Sequence, residues 1–283
     1  MLGRLCMDVE ECIDTYCSLM NTVFQKRSGF RFPISLRTWK IKPKYSTKAL
    51  REAVVSVLES KGYASGTYLL DEKASGVQCK TFVCAMAKGT ASIHRLKTYS
   101  YQADYSILHP TICDAIMATA AATSFFEVAR IGAQEFIDGA LGANNPVFEV
   151  TNEAGALWSA DFDASAEEFT QCIVSLGTGH PGKEAFKDTA SGIIGSLTKL
   201  ATECDAINDK FLGQWRKAFD EQRAFRFNVQ QGLQGMKLDK VEQRGLLEQA
   251  TDEYLREPDQ ELRLKRCVSS LCEDGKPAHS LAR

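Results

Sequence analysis

The sequence predicts an α/β fold with a mostly parallel sheet covered by helices. Short apolar runs that read as strands alternate with longer segments of helical period. Those runs have the character of strands buried on both faces. The run that ends at Asp138 opens into a loop of small residues, the place where open sheets of this class hold ligands.

The elements follow in order. Asp8-Val-Glu-Glu11 has the form of a capping box, and Ile13, Tyr16, Cys17, Met20 and Phe24 recur behind it at helical spacing. Arg27-Ser-Gly-Phe-Arg-Phe-Pro33 breaks that helix. A second helix starts near Ser46-Thr47, carries Leu50, Val54, Val57 and Leu58 on one face, and stops at Gly62. Lys80 to Met86 is a buried strand, and Leu96 to Tyr101 is a second one with alternation. Thr111 to Ala122 is an Ala-rich helix whose small face suits close packing. Glu135-Phe-Ile137 is a brief strand ending at Asp138, and Pro146 stands where a helix starts. Cys172-Ile-Val-Ser175 is a strand running into Leu176-Gly-Thr-Gly179. Helices follow over about Ile193–Ile207 and Phe211–Ala224, then a late edge strand at Arg226-Phe-Asn-Val229. Asp239 caps a helix that runs to about Leu255, and the segment from Gly275 and Pro277 onward is frayed. No internal repeat or linker divides the chain, so one domain is expected over 1–256, with 257–283 as a C-terminal helix or tail.

Bulk properties narrow the function. The 283 residues carry 34 basic and 36 acidic side chains, a net charge of -2, which gives no electrostatic reason to expect nucleic acid as a partner. Ten cysteines are scattered without a Cys-x-x-Cys pair, and His94, His109, His180 and His279 do not fall at zinc-ligand spacing with them. No metal and no cofactor are expected; the cysteines read as free thiols of a reducing compartment. The first eight residues reach Asp8 before any apolar stretch develops, and no stretch has the roughly 20 apolar residues of a membrane span. The expectation is a cytoplasmic protein, peripheral at membranes. Lys40-Ile-Lys42-Pro-Lys44-Tyr45 reads as a solvated loop, with contact to anionic head groups as the alternative. The charged face around Lys237–Arg244 reads as solvated.

The most informative window is Phe136-Ile-Asp138-Gly139-Ala140-Leu-Gly142-Ala-Asn144-Asn145-Pro146. Alone, Asp-Gly is a turn dipeptide. Here it ends a strand, and the small residues after it leave room above the carboxylate. Ile112-Cys-Asp-Ala115-Ile-Met-Ala118-Thr119 and the alanines behind it precede the window; Cys172-Ile-Val-Ser-Leu-Gly177-Thr178-Gly179 and Arg226-Phe-Asn-Val follow it. This ordered set resembles the patatin-like phospholipase family over roughly Met1 to Leu255. The family has an Ala-Thr-Ser-Ala-Ala-Pro-type helix, an Asp-Gly-Gly/Ala loop followed by Ala-Asn-Asn-Pro, and a Ser-x-Gly-Thr-Gly strand end. Met117 stands where the family usually has Arg, and Ala120 and Thr123 replace its Ser and Pro.

The resemblance implies a patatin-like fold, incomplete at its N-terminal side, and a lipid acyl hydrolase that cleaves fatty acyl esters through a Ser–Asp dyad without His. Asp138, in its motif with Gly139 and Ala140, matches the general base. The family's serine sits in a Gly-x-Ser-x-Gly elbow, and no such pattern occurs in the 283 residues. The match implies a start about two to three helical turns past that elbow, and past the Gly-rich loop that supplies oxyanion donors. An incomplete gene product, inactive as given, is therefore expected, acting by descent on phospholipid or lysophospholipid. A non-catalytic lipid-binding or interaction module is the alternative. A third reading, a nucleotide cradle at Gly177-Thr178-Gly179, stands against a plain strand-to-loop turn, and lacks any Lys at Walker spacing. His180 reads there as a loop residue, and Cys172 as core.

Overall fold

The computed structural model describes residues 1–25, 43–70, 79–100, 108–159, 165–180, 192–233, 236 and 241–272. The segment 27–33, Lys40, Lys42, the cap at Asp239 and the tail from Gly275 lie outside the described residues. The chain forms two compact units, Met1–Ala143 and Asn144–Arg283.

In the first unit, α1 (Leu2–Leu5) leads into α2 (Val9–Val23), and the Asp8 carboxylate accepts the Glu11 N–H at 2.8 Å. That is one half of the capping box, and it satisfies one orphan donor of the first turn. The apolar face of α2 is covered unevenly, with Cys12 packed against the core. Val23 is buried and Phe24 packs edge-on to Tyr45 at 4.8 Å, whereas Ile13 and Tyr16 are exposed. α3 (Thr47–Ser60) is capped by Ser46, whose hydroxyl accepts from Ala49 N–H, and it buries Leu50, Val54 and Leu58. An ion pair between Lys61 and Glu11 joins the two helices.

The sheet is built from β1 (Phe82–Ala87), β2 (Ile93–Lys97), β3 (Ala129–Ile131) and β4 (Gln134–Asp138), in the order β2-β1-β4-β3. α4 (Ile112–Thr119) packs on it. Thr111 and Asp114 close a reciprocal capping box at its start. Ala115 and Ala118 are fully buried, and these small faces let the helix lie close to the strands above Phe136 and Ala85, both at 0 % exposure. Emptying the Phe136 site by Phe136→Ala costs about 3–5 kcal/mol by general experience with such cavities.

The mostly parallel sheet expected from the sequence is not what forms. Every pairing in this four-stranded sheet is antiparallel. Connection length is the reason for the β1–β2 and β3–β4 pairings. β1 returns as β2 across Lys88–Ser92, and β3 returns as β4 across Gly132 and Ala133, with Gly132 at φ 58°. A parallel return needs a crossover of a dozen or more residues.

The second unit contains α5's sequel, α6 (Val147–Trp158), then α7 (Ala166–Phe169) and β5 (Ile173–Leu176). α5 itself (Ala140–Ala143) closes the first unit. α8 (Gly192–Gln214), α9 (Arg216–Asp220) and β6 (Ala224–Phe227) follow, then α10 (Arg244–Leu255) and α11 (Pro258–Cys272). β5 and β6 pair in parallel, with Ile173 opposite Ala224, and the long helical connection between them permits that direction. One core gathers Phe211, Trp215 and Ala218; another gathers Phe225, Phe227, Tyr254 and Cys267. Among the described residues no helix is long and apolar enough to cross a membrane.

Candidate active site

Asp138 is the last residue of β4, and its backbone is clamped from two sides. It stands opposite Ala85 of β1, and its N–H donates to the Ala121 carbonyl at 3.1 Å, just past the end of α4. The strand therefore delivers the carboxylate at the seam between β1 and α4.

Gly139 makes that seam possible. A Cβ there would stand 2.2 Å from the Cys84 carbonyl oxygen and 2.6 Å from its carbon. Backbone cannot swing away as a side-chain tip can, so only glycine fits. The same Cys84 carbonyl accepts the Thr119 hydroxyl at 2.7 Å, which ties the last turn of α4 to β1 beside the acid. The chain then closes into α5, with Ala143 N–H donating to the Gly139 carbonyl at 2.8 Å. Gly142 packs against Ile93 and Met86, whose flexible tips lie within 2.9 Å of where its Cβ would be.

The Asp138 carboxylate is half-buried. One oxygen accepts the Ala140 N–H at 2.8 Å, and among the described residues the other has no protein partner. Burial pushes the pKa of Asp138 above the usual carboxylate range, and the Ala140 N–H opposes that only in part. A carboxylate with a raised pKa and a free lone pair is a better proton acceptor than a solvated one. A shallow hollow lined by Arg51, Glu59, Gly66, Thr111 and Asp114 lies at the opposite end of α4 and has no part in this geometry.

Thr119 and the Cys84 carbonyl were not legible as parts of this site. Their contact spans 35 residues of sequence, and an apolar strand residue that offers only its backbone leaves no mark in the sequence.

The loop after β5 is built differently. Gly177 N–H donates to the Phe227 carbonyl at 2.8 Å and His180 N–H to the Val229 carbonyl at 2.8 Å. Gly179, at φ 96°, donates its N–H to the Asn228 side chain at 2.8 Å. These donors are committed to β6 and the residues after it, so they do not form an anion nest. Ser175 accepts from Arg226 at 2.7 Å, and His180 faces Asp205 at 3.4 Å. Cys172 packs against the core around Phe225 and Cys267.

Lys44 lies over the rings of Tyr45 and Phe125 at 5.1 and 5.8 Å. Arg244 pairs with Glu248 at 2.6 Å on an exposed helix face. Among the described residues no three His, Cys, Asp or Glu side chains gather as metal ligands would.

The protein-family model Patatin-like phospholipase aligns with residues 5–151, which contains the whole of the β4–α5 seam. No curated protein matches the chain.

Proposed function

Because this chain belongs to the patatin-like phospholipase family, whose members are lipid acyl hydrolases, we propose that it carries the base half of a site that cleaves fatty acyl esters of phospholipid or lysophospholipid. Asp138 is the general base of this proposal. It takes the proton of a serine hydroxyl as that oxygen attacks the acyl carbon, then returns it to the departing alcohol. Gly139 and Ala140 hold the carboxylate in place. The observation that carries the reading is the half-buried Asp138 carboxylate at the end of β4, with one oxygen on the Ala140 N–H and the other without a protein partner among the described residues.

No Gly-x-Ser-x-Gly occurs in the 283 residues, so the proposal holds that they do not hydrolyse esters by themselves. Ser175, next to the other glycine-rich loop, is tied to Arg226. The domain of this proposal extends over 1–256, with 257–283 appended, and it works in the cytoplasm, peripheral at membranes. The lack of an elbow serine also favours a second reading, a lipid-binding module without catalysis.

Two experiments separate these. A serine-directed fluorophosphonate leaves the purified chain without an adduct; an adduct on any of its serines would overturn the claim that it holds no activated nucleophile. A chimera that joins the Gly-x-Ser-x-Gly segment of a family enzyme ahead of Met1 hydrolyses a fatty acyl ester, and Asp138→Asn lowers its kcat by about 10²–10⁴. Equal rates for the chimera and its Asn variant would remove Asp138 from the catalytic role and leave the binding-module reading.

A further inference from the structure

Cys267 is a buried thiol, 3 % exposed, on the inner face of α11. It sits in the core with Phe225, Phe227 and Tyr254, and half-buried Cys172 packs against that core one residue before β5. Burial pushes the Cys267 thiol pKa up, and the Cys172 thiol beside it adds to that shift. Their backbones are held in place on either side. Gln171 donates to the Ser270 carbonyl at 3.3 Å, which joins the residue before Cys172 to the turn after Cys267. Arg263, one turn before Cys267, donates to the Arg226 carbonyl at 2.8 Å and lies over the Phe227 ring. Both cysteines are free thiols.

From this contact we infer that Cys172 and Cys267 form an oxidation-sensitive pair that closes into a disulfide and locks α11 onto the β5–β6 sheet. Hydrogen peroxide is the oxidant. Its oxygen transfers to the Cys172 sulfur, the more exposed of the two, to give a sulfenic acid and one water. The Cys267 sulfur then attacks the Cys172 sulfur. The S–S bond forms, the S–O bond breaks, and a second water leaves with the Cys267 proton. Two thiols are oxidised and one peroxide is reduced to two waters. Packing that holds the sulfurs together replaces a bimolecular encounter by a local one, which favours this outcome over oxidation further up the ladder. In a reducing compartment such a bond is transient, as expected for a sensing pair. It joins positions distant in sequence, so it restricts the unfolded chain strongly. The pairing is independent of the role given to Asp138.

The test is titration of the reduced full chain with hydrogen peroxide, followed by non-reducing peptide mapping and thermal unfolding. The expected product is a Cys172–Cys267 cross-linked peptide, an intact mass lower by two hydrogens, and a Tm higher by about 5–10 °C. Dithiothreitol reverses all three. Cys172→Ala loses the cross-link and the Tm rise. Cys267→Ala does the same, and Cys79→Ser keeps both. Sulfinic acid at Cys172 without the cross-link would overturn the inference, as would a disulfide that leaves either partner free.

Discussion

Two glycine-bearing loops end strands in this protein, and they use their backbone differently. After β4, the Asp138-Gly139-Ala140 loop turns one N–H onto its own carboxylate and leaves the other carboxylate oxygen without a protein partner among the described residues. After β5, the Gly177-Thr178-Gly179 loop gives its glycine N–H groups to the Phe227 carbonyl and the Asn228 side chain. The first loop holds a reactive group in a partly desolvated place; the second extends a strand pairing. Glycine content does not tell such loops apart. What tells them apart is where the N–H groups go, because a donor already bonded to protein is not available to a ligand.

The largest effect is expected at Gly139. Gly139→Ala drives a methyl into the Cys84 backbone and lowers stability by about 3 kcal/mol, read as a shift of the urea midpoint. In the second loop, Gly179→Ala meets only the tip of Leu233 but must hold φ 96°, so its cost is about 1–2 kcal/mol. If the two substitutions cost the same, the β4 seam is not the tighter place. Asn228→Ala leaves the Gly179 N–H without its acceptor, at about 1 kcal/mol in the same assay.

Asp138→Asn sharpens the contrast from the other side. Asn keeps an oxygen for the Ala140 N–H and removes the charge. Burial raises the pKa of Asp138 in the folded state, so its favourable contribution is fully present below the unfolded pKa and is lost as pH rises through the folded one. The Asn variant is therefore expected to have a higher Tm than the wild type at neutral pH. The gain should vanish in acid, where both side chains are neutral. Glu135, three residues before Asp138 on the same strand, has the opposite sign. Hydrogen bonds from Lys88 and Arg130 lower its pKa to about 2. Its contribution is present above the ordinary glutamate range and is lost as pH falls toward about 2. Glu135 is partly exposed and its partners Lys88 and Arg130 are exposed, so the pairs are screened and Glu135→Gln is expected to have the smallest effect, further reduced by salt.

Several parts of this molecule were legible in the sequence because their causes are local. Ser46 and Thr111 cap helices where hydroxyls precede apolar periods, and Asp8 does so with its carboxylate. The end of β4 at Asp138 follows from the small residues behind it. Strand direction was not legible in the same way. Phe82–Ala87 is apolar and buried in parts, as a parallel strand is, yet it lies between two antiparallel neighbours. Periodicity reports burial, not the direction of the neighbour. Ala129–Ile131 went unread because three residues carry no period. The exposure of Ile13 and Tyr16 was hidden too, since helical spacing marks a face without saying what covers it.

The most direct measurement is a ¹³C NMR titration of the Asp138 carboxyl in the full chain, with Asp138→Asn identifying the resonance. A desolvated base with a single N–H donor titrates above the ordinary aspartate range. A midpoint at or below that range would mean that Asp138 is solvated or held by further donors, and the strand end would then be a turn rather than the seat of a base.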